Sequence, residues 1–250
     1  MTEKEMYNLI NGQNEQSSGF RVNEKERGLS NVYATLMRKV YVWMTLALVI
    51  TGVAAYGVAS SPVLITTIFA NRALMFGLII AEFVLVFAIS GAINRLSLST
   101  ATLLFILYSV INGTMLSSIF VIYDPFVITK VFLITAGTFG AMAFYGYSTK
   151  RDLSSMGKIL FMALIGFVIA TVVNMFLKSP GFDYILSYIG VAIFVGLTAW
   201  DSQKIKQMLM TQYDMSEGAQ KLALLGALTL YLDFINLFIY LLRIFGNNRD

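Results

Sequence analysis

Leu230-Tyr-Leu-Asp233-Phe-Ile-Asn236-Leu-Phe-Ile-Tyr240-Leu-Leu-Arg243 decides what kind of protein this is. The stretch is apolar enough for lipid, yet it holds an aspartate at its middle. Gly226, Thr229, Asp233, Asn236, Tyr240 and Arg243 recur at spacings of three and four, which places them on one face of a helix. The other positions from 227 to 242 are apolar, so a polar stripe runs down a hydrophobic helix. An acidic side chain at bilayer depth costs about 2.5–3.5 kcal/mol on insertion scales, and it usually faces a bundle interior or a water-filled cavity. The stripe therefore predicts a helix at a bundle centre or along a pathway. The competing reading is a packing seam, where Gly and Thr let helices approach closely.

The rest of the chain has the same character. Of its 250 residues 57% are hydrophobic and 13% charged, and its mean hydropathy is +0.72. Soluble domains carry about 25% charged residues, so lipid is the solvent for much of this surface. The net charge of +4 needs no nucleic-acid partner, because basic residues also set membrane orientation. Without cysteine there is no disulfide, thiolate ligand or thiol nucleophile. Without histidine the usual group titrating near neutral pH is missing too. A pH response there would have to come from carboxyl groups in an unusual setting.

A span needs about 20 apolar residues. Seven runs serve, at 40–60, 73–93, 100–122, 127–147, 159–177, 183–203 and 221–243, joined by short connections such as Ser60-Ser-Pro62 and Lys178-Ser-Pro-Gly181. The predicted fold class is all-α, an integral membrane bundle of seven transmembrane helices. Residues 1–39 read as a polar cytoplasmic arm, disordered or lying on the surface, and 40–246 as the membrane domain. Nine Lys and Arg from Arg38 onward fall on the N-terminal side of this layout, against five on the other. That bias puts the N-terminus in the cytoplasm. The C-terminus then lies outside, unless the last run is re-entrant.

Three acidic residues stand out within the runs. Glu82 is central in the second, Asp233 is central in the seventh, and Asp201 lies near the cytoplasmic end of the sixth. Asp201 admits two readings, an internal site or a helix-end charge paired with Lys204 one turn on. Adjacent antiparallel helices could bring Asp201 and Asp233 to comparable depth. Asn112, Asn174 and Asn236 are more often interhelical glue than ligands. No phosphate-binding loop, metalloprotease helix or nucleophile elbow occurs. No catalytic residue is assigned.

The stretch Leu230 to Gly246 closely resembles the C-terminal signature of the Bax inhibitor family, the transmembrane Bax-inhibitor-motif proteins. Ala199-Trp-Asp201-Ser-Gln-Lys-Ile-Lys206 resembles that family's motif at the end of its sixth helix. The resemblance covers roughly residues 33–246 and points to a bacterial-type member. It implies a central seventh helix wrapped by the other six, and a pH-sensitive calcium leak. By this resemblance Asp201 and Asp233 form a pH-sensing dyad, and Glu82, Asp201, Asp233 and Asn236 line the ion pathway. It also implies a latch arginine near the cytoplasmic end of the second helix. Arg95 is the candidate, two residues from the gap-free position at Ile93.

Calcium, the transported ion rather than a cofactor, prefers carboxylate and carbonyl oxygens. Asp201, Asp233 and Glu82 supply such atoms. Two carboxyls in contact share one proton because both cannot ionise cheaply, and their titration belongs to the pair. The expected partners are the lipid bilayer, calcium ions and a membrane protein, with no nucleic acid. The expected location is the inner or plasma membrane if the source is bacterial.

Two other readings compete. A non-transporting regulator of cell death or of a membrane protease would use the basic loops and arm to bind its partner. An intramembrane aspartyl protease would carry Tyr-Asp and Gly-x-Gly-Asp, and neither occurs at Asp201 or Asp233. A retinal protein would need a lysine deep in the last run, which has none beyond Lys221.

Overall fold

The computed structural model describes the backbone of residues 3–246 and side chains from Ser30 to Gly246. Nine helices occur among the described residues: α1 (Glu3–Ala59), α2 (Pro62–Ala70), α3 (Arg72–Ala92), α4 (Leu98–Leu116), α5 (Ser118–Ile122), α6 (Pro125–Ser148), α7 (Ser154–Leu177), α8 (Pro180–Met210) and α9 (Glu217–Phe245). Seven segments are long and apolar enough to cross a membrane, α4 and α5 together making the third. The all-α membrane bundle read from the sequence is what the chain forms.

Its element ends differ from the apolar runs, for local reasons. The first span takes in residues before 40. Leu36 and Met37, assigned to the polar arm, are buried in the core. The backbone of α1 is helical from Glu3. The Ser60-Ser-Pro62 connection is the start of a short helix. Ser61 accepts the Leu64 N–H, and Pro62 sits where a helix has no use for a backbone donor. The last span is one continuous helix. The 29 residues of α9 exceed the roughly 20 needed to cross.

α9 is the centre. In its most apolar window 67% of residues are buried, against 11% in α3 and α7. It packs on α8, α1, α6 and α4, while α3 leans mainly on α4 and α7 on α8. The wrapping of the seventh span is therefore two layers deep, with α3 and α7 outermost. Their exposed Phe83, Phe87, Ile159 and Phe176 face outward, as lipid-facing side chains do.

Lipid tails are as apolar as leucine, so these helices are held by close packing and polar contacts rather than by the hydrophobic effect. Small residues set the closest approaches. A Cβ on Gly146 of α6 would strike the Ala199 carbonyl of α8. A Cβ on Gly226 of α9 would meet Ile205 of α8 at 3.1 Å. Gly146→Ala should destabilise the bundle by about 1–3 kcal/mol through overpacking. Gly137→Ala, with nothing within 4 Å of its added methyl, should not destabilise. Thermal unfolding of both variants in detergent micelles checks this, and equal melting temperatures would contradict it.

Candidate functional site

The last turns of α8 carry five residues whose side chains all find work. Asp201 and Asp233 are buried, at 7% and 5% exposure, and their carboxyl groups are in side-chain hydrogen-bonding contact across the α8–α9 interface. Two carboxyls can hydrogen-bond only if one of them carries the proton. Asp233 Oδ2 is buried and accepts no hydrogen bond from a neighbouring N–H or hydroxyl. Among the described residues no ion pair reaches either aspartate. Lys204, the expected partner of Asp201 one turn on, instead lies over the Trp200 ring, 4.8 Å from its centroid.

The neighbours of Asp201 fix its helix. Ser202 Oγ donates to the Ala143 carbonyl of α6 at 2.8 Å. Gln203 clamps the α6–α7 connection. Its Oε1 accepts the Leu153 N–H and its Nε2 donates to the Arg151 carbonyl, both at 2.8 Å. Lys206 Nζ donates to the Tyr147 carbonyl at the end of α6, also at 2.8 Å. In that connection the Ser154 side chain, and after it the Ser154 N–H that donates to Asp152 at 2.9 Å, hold the exposed Asp152 carboxyl below the usual range. These contacts explain why α8 continues to Met210 instead of ending near residue 203.

A second polar centre lies on another side of α9. Glu82 of α3, half-buried, accepts from Asn112 Nδ2 of α4 at 3.0 Å. Asn112 Oδ1 accepts from the Tyr231 hydroxyl of α9 at 2.9 Å. Thr51 Oγ1 of α1 lies 2.7 Å from that hydroxyl. Glu82, Tyr108, Asn112 and Asn236 help line a cavity of about 430 Å³ between α3, α4 and α9.

The structure thus divides the sequence-derived set. It joins Asp201 with Asp233, and it places Glu82 and Asn236 on one cavity. It does not gather Glu82, Asp201 and Asp233 as a common calcium site. Among the described residues no group of three acidic side chains is close enough to hold a metal ion. Arg95 is exposed in the turn after α3, and no ion pair joins it to either aspartate. The stripe on α9 divides too. Gly226, Asp233 and Tyr240 are buried, whereas Thr229 and Asn236 are half-buried and donate to their own helix at the Leu225 and Leu232 carbonyls. Tyr231 and Thr51 were missed because a tyrosine among aliphatic residues, and a threonine in an apolar run, count as packing.

A seven-span bundle with a buried carboxyl pair between its central helix and α8 defines a class of integral membrane protein. A family model described as "Inhibitor of apoptosis-promoting Bax1" matches residues 33–250, and the chain belongs to this Bax inhibitor family. The chain is 52% identical over 217 residues to "Inner membrane protein YbhL" of Escherichia coli (strain K12), covering 86% of this chain and 92% of the relative. An "Uncharacterized protein" of Borreliella burgdorferi is 46% identical over 214 residues, covering 86% and 92%. One of Rickettsia prowazekii is 45% identical over 216 residues, covering 86% and 90%.

The clamp at Gln203 has a measurable consequence. Gln203→Ala should leave the Leu153 amide without its acceptor, a loss of about 1 kcal/mol or more for a buried donor. Its hydrogen exchange should accelerate by roughly fivefold or more. Unchanged protection at Leu153 would contradict the assignment.

Proposed function

We propose that this chain is a pH-sensitive calcium leak pathway in a bacterial inner membrane, held closed by the contact between Asp201 and Asp233. The observation that carries the reading is that contact itself, buried between the central helix and α8. The shared proton makes the contact attractive. Its loss puts two like charges together where water cannot screen them, and the two helices separate. With no histidine in the chain, a coupled carboxyl pair is the group best suited to respond near neutral pH. Glu82 and Asn236, on their common cavity, are proposed as a separate station for the ion, with oxygen ligands of the type calcium takes. Few ligands favour passage over storage.

Similarity to a protein named for the inner membrane supports the location. The excess of Lys and Arg, nine against five from Arg38 onward, on the side where α8 ends and α9 begins supports a cytoplasmic N-terminus. A second reading, a regulator that binds a membrane protein partner, is favoured by the family description, which names a protein that its members inhibit. Retention of a partner on the purified chain, with no calcium flux, would select it.

The test is calcium entry into liposomes across about pH 6–8. Wild-type flux should rise with pH, by up to about tenfold per unit for a one-proton switch. Asp201→Asn and Asp233→Asn should each flatten that profile, because an amide cannot lose the proton. A pH profile unchanged in Asp233→Asn would sink the proposal.

A further inference from the structure

Tyr231 and Asp233 are two residues apart on α9, so they leave the helix about 200° apart in angle and about 3 Å apart in height. One helix segment therefore holds the carboxyl contact on one side and the tyrosine hydroxyl on another. Tyr231 is fully buried. Its ring is gripped edge-on by Phe105 and Tyr108, each with its centroid 5.8 Å away. Thr51, beside its hydroxyl, also donates to the Ser109 carbonyl at 3.0 Å. α1 and α4 are at close approach here, since a Cβ on Gly113 would strike the Thr51 carbonyl.

The Asn112 amide is what makes this arrangement directional. Its oxygen takes the Tyr231 proton at 2.9 Å, and its nitrogen donates to Glu82 at 3.0 Å. Turned over, the amide would present its nitrogen to the tyrosine and an oxygen to the carboxyl. The Tyr231 hydroxyl, which can donate or accept, tethers the amide at the end away from Glu82, and the Glu82 oxygen takes the donor at the other end. Hydrogen bonds of this kind are lost beyond about 3.5 Å, so a movement of α9 by about 1 Å breaks the tether.

We propose that Tyr231 is a positioning residue through which the Asp201–Asp233 contact controls the orientation of Glu82 in its cavity. This rests on the reading of the two aspartates as a switch that moves α9. When they part, the same helix segment withdraws its hydroxyl from Asn112. The amide is released, and Glu82 loses its donor and turns toward the cavity.

The experiment reads Glu82 directly. The infrared band of its carboxyl group, isolated by subtracting the spectrum of Glu82→Gln, is recorded on the purified full chain in lipid. Asp201→Ala disturbs α9 only through the carboxyl contact, and it should shift the band. In a Tyr231→Phe background, which keeps the ring but not the hydroxyl, Asp201→Ala should leave the band where it is. Asn112→Leu interrupts the chain on α4 and should also abolish the response. An equal shift with and without the tyrosine hydroxyl, or no shift with Asp201→Ala alone, overturns the proposal. Calcium flux on the same preparations separates the two ideas. A tyrosine-dependent shift without flux supports the coupling and overturns the leak.

Discussion

Two carboxyl groups pressed together inside a lipid-embedded bundle constrain everything around them. Each would be costly alone at this depth, and both charged would repel with little solvent to soften the force. Their contact is tolerable because one proton serves the pair. On the proposed reading the burial that makes the arrangement demanding also makes it responsive, since loss of that proton would turn the attraction between the two carboxyls into a repulsion.

The rest of α8 is braced against that force. Ser202, Gln203 and Lys206 tie it to α6 and to the α6–α7 connection, and the Gly146 contact leaves no room to slide. α9 is attached differently. At its start Lys221 donates to the Leu96 carbonyl and Glu217 accepts the Leu98 N–H. Deeper in, its polar contacts are Asp233 on one side and Tyr231 on another. Both polar centres would register a relative movement of α8 and α9.

The sequence was most legible where a residue broke a simple rule. Asp233 inside an apolar run marked the central helix without any other knowledge. Asp201, near a helix end and beside Lys204, was ambiguous by spacing alone. Its place in the pair was implied by the family motif, because which helices face each other is a tertiary fact. Thr229 and Asn236 share the helical face of Asp233, yet they bond to their own backbone. Periodicity locates a face and says nothing of which neighbour covers it. Tyr231 was invisible for a related reason. Its ring satisfies the apolar pattern, and its hydroxyl matters only because α1 and α4 bring Thr51 and Asn112 to it. The extension of α8 to Met210 was hidden likewise, since Ser202, Gln203 and Lys206 are held by partners distant in sequence.

The absence of cysteine makes the central claim open to a direct distance measurement. Single cysteines at the exposed positions Lys204 on α8 and Gly218 on α9 can carry spin labels in an otherwise unreactive chain. Pulsed dipolar spectroscopy of the pair in liposomes, across about pH 6–8, reports whether the two helices part. The account predicts a longer or broader distance distribution as pH rises, and a distribution that does not change with pH once Asp233→Asn is introduced. A distance that stays constant in the wild-type background, or that changes equally in the Asp233→Asn background, would contradict control by the carboxyl pair.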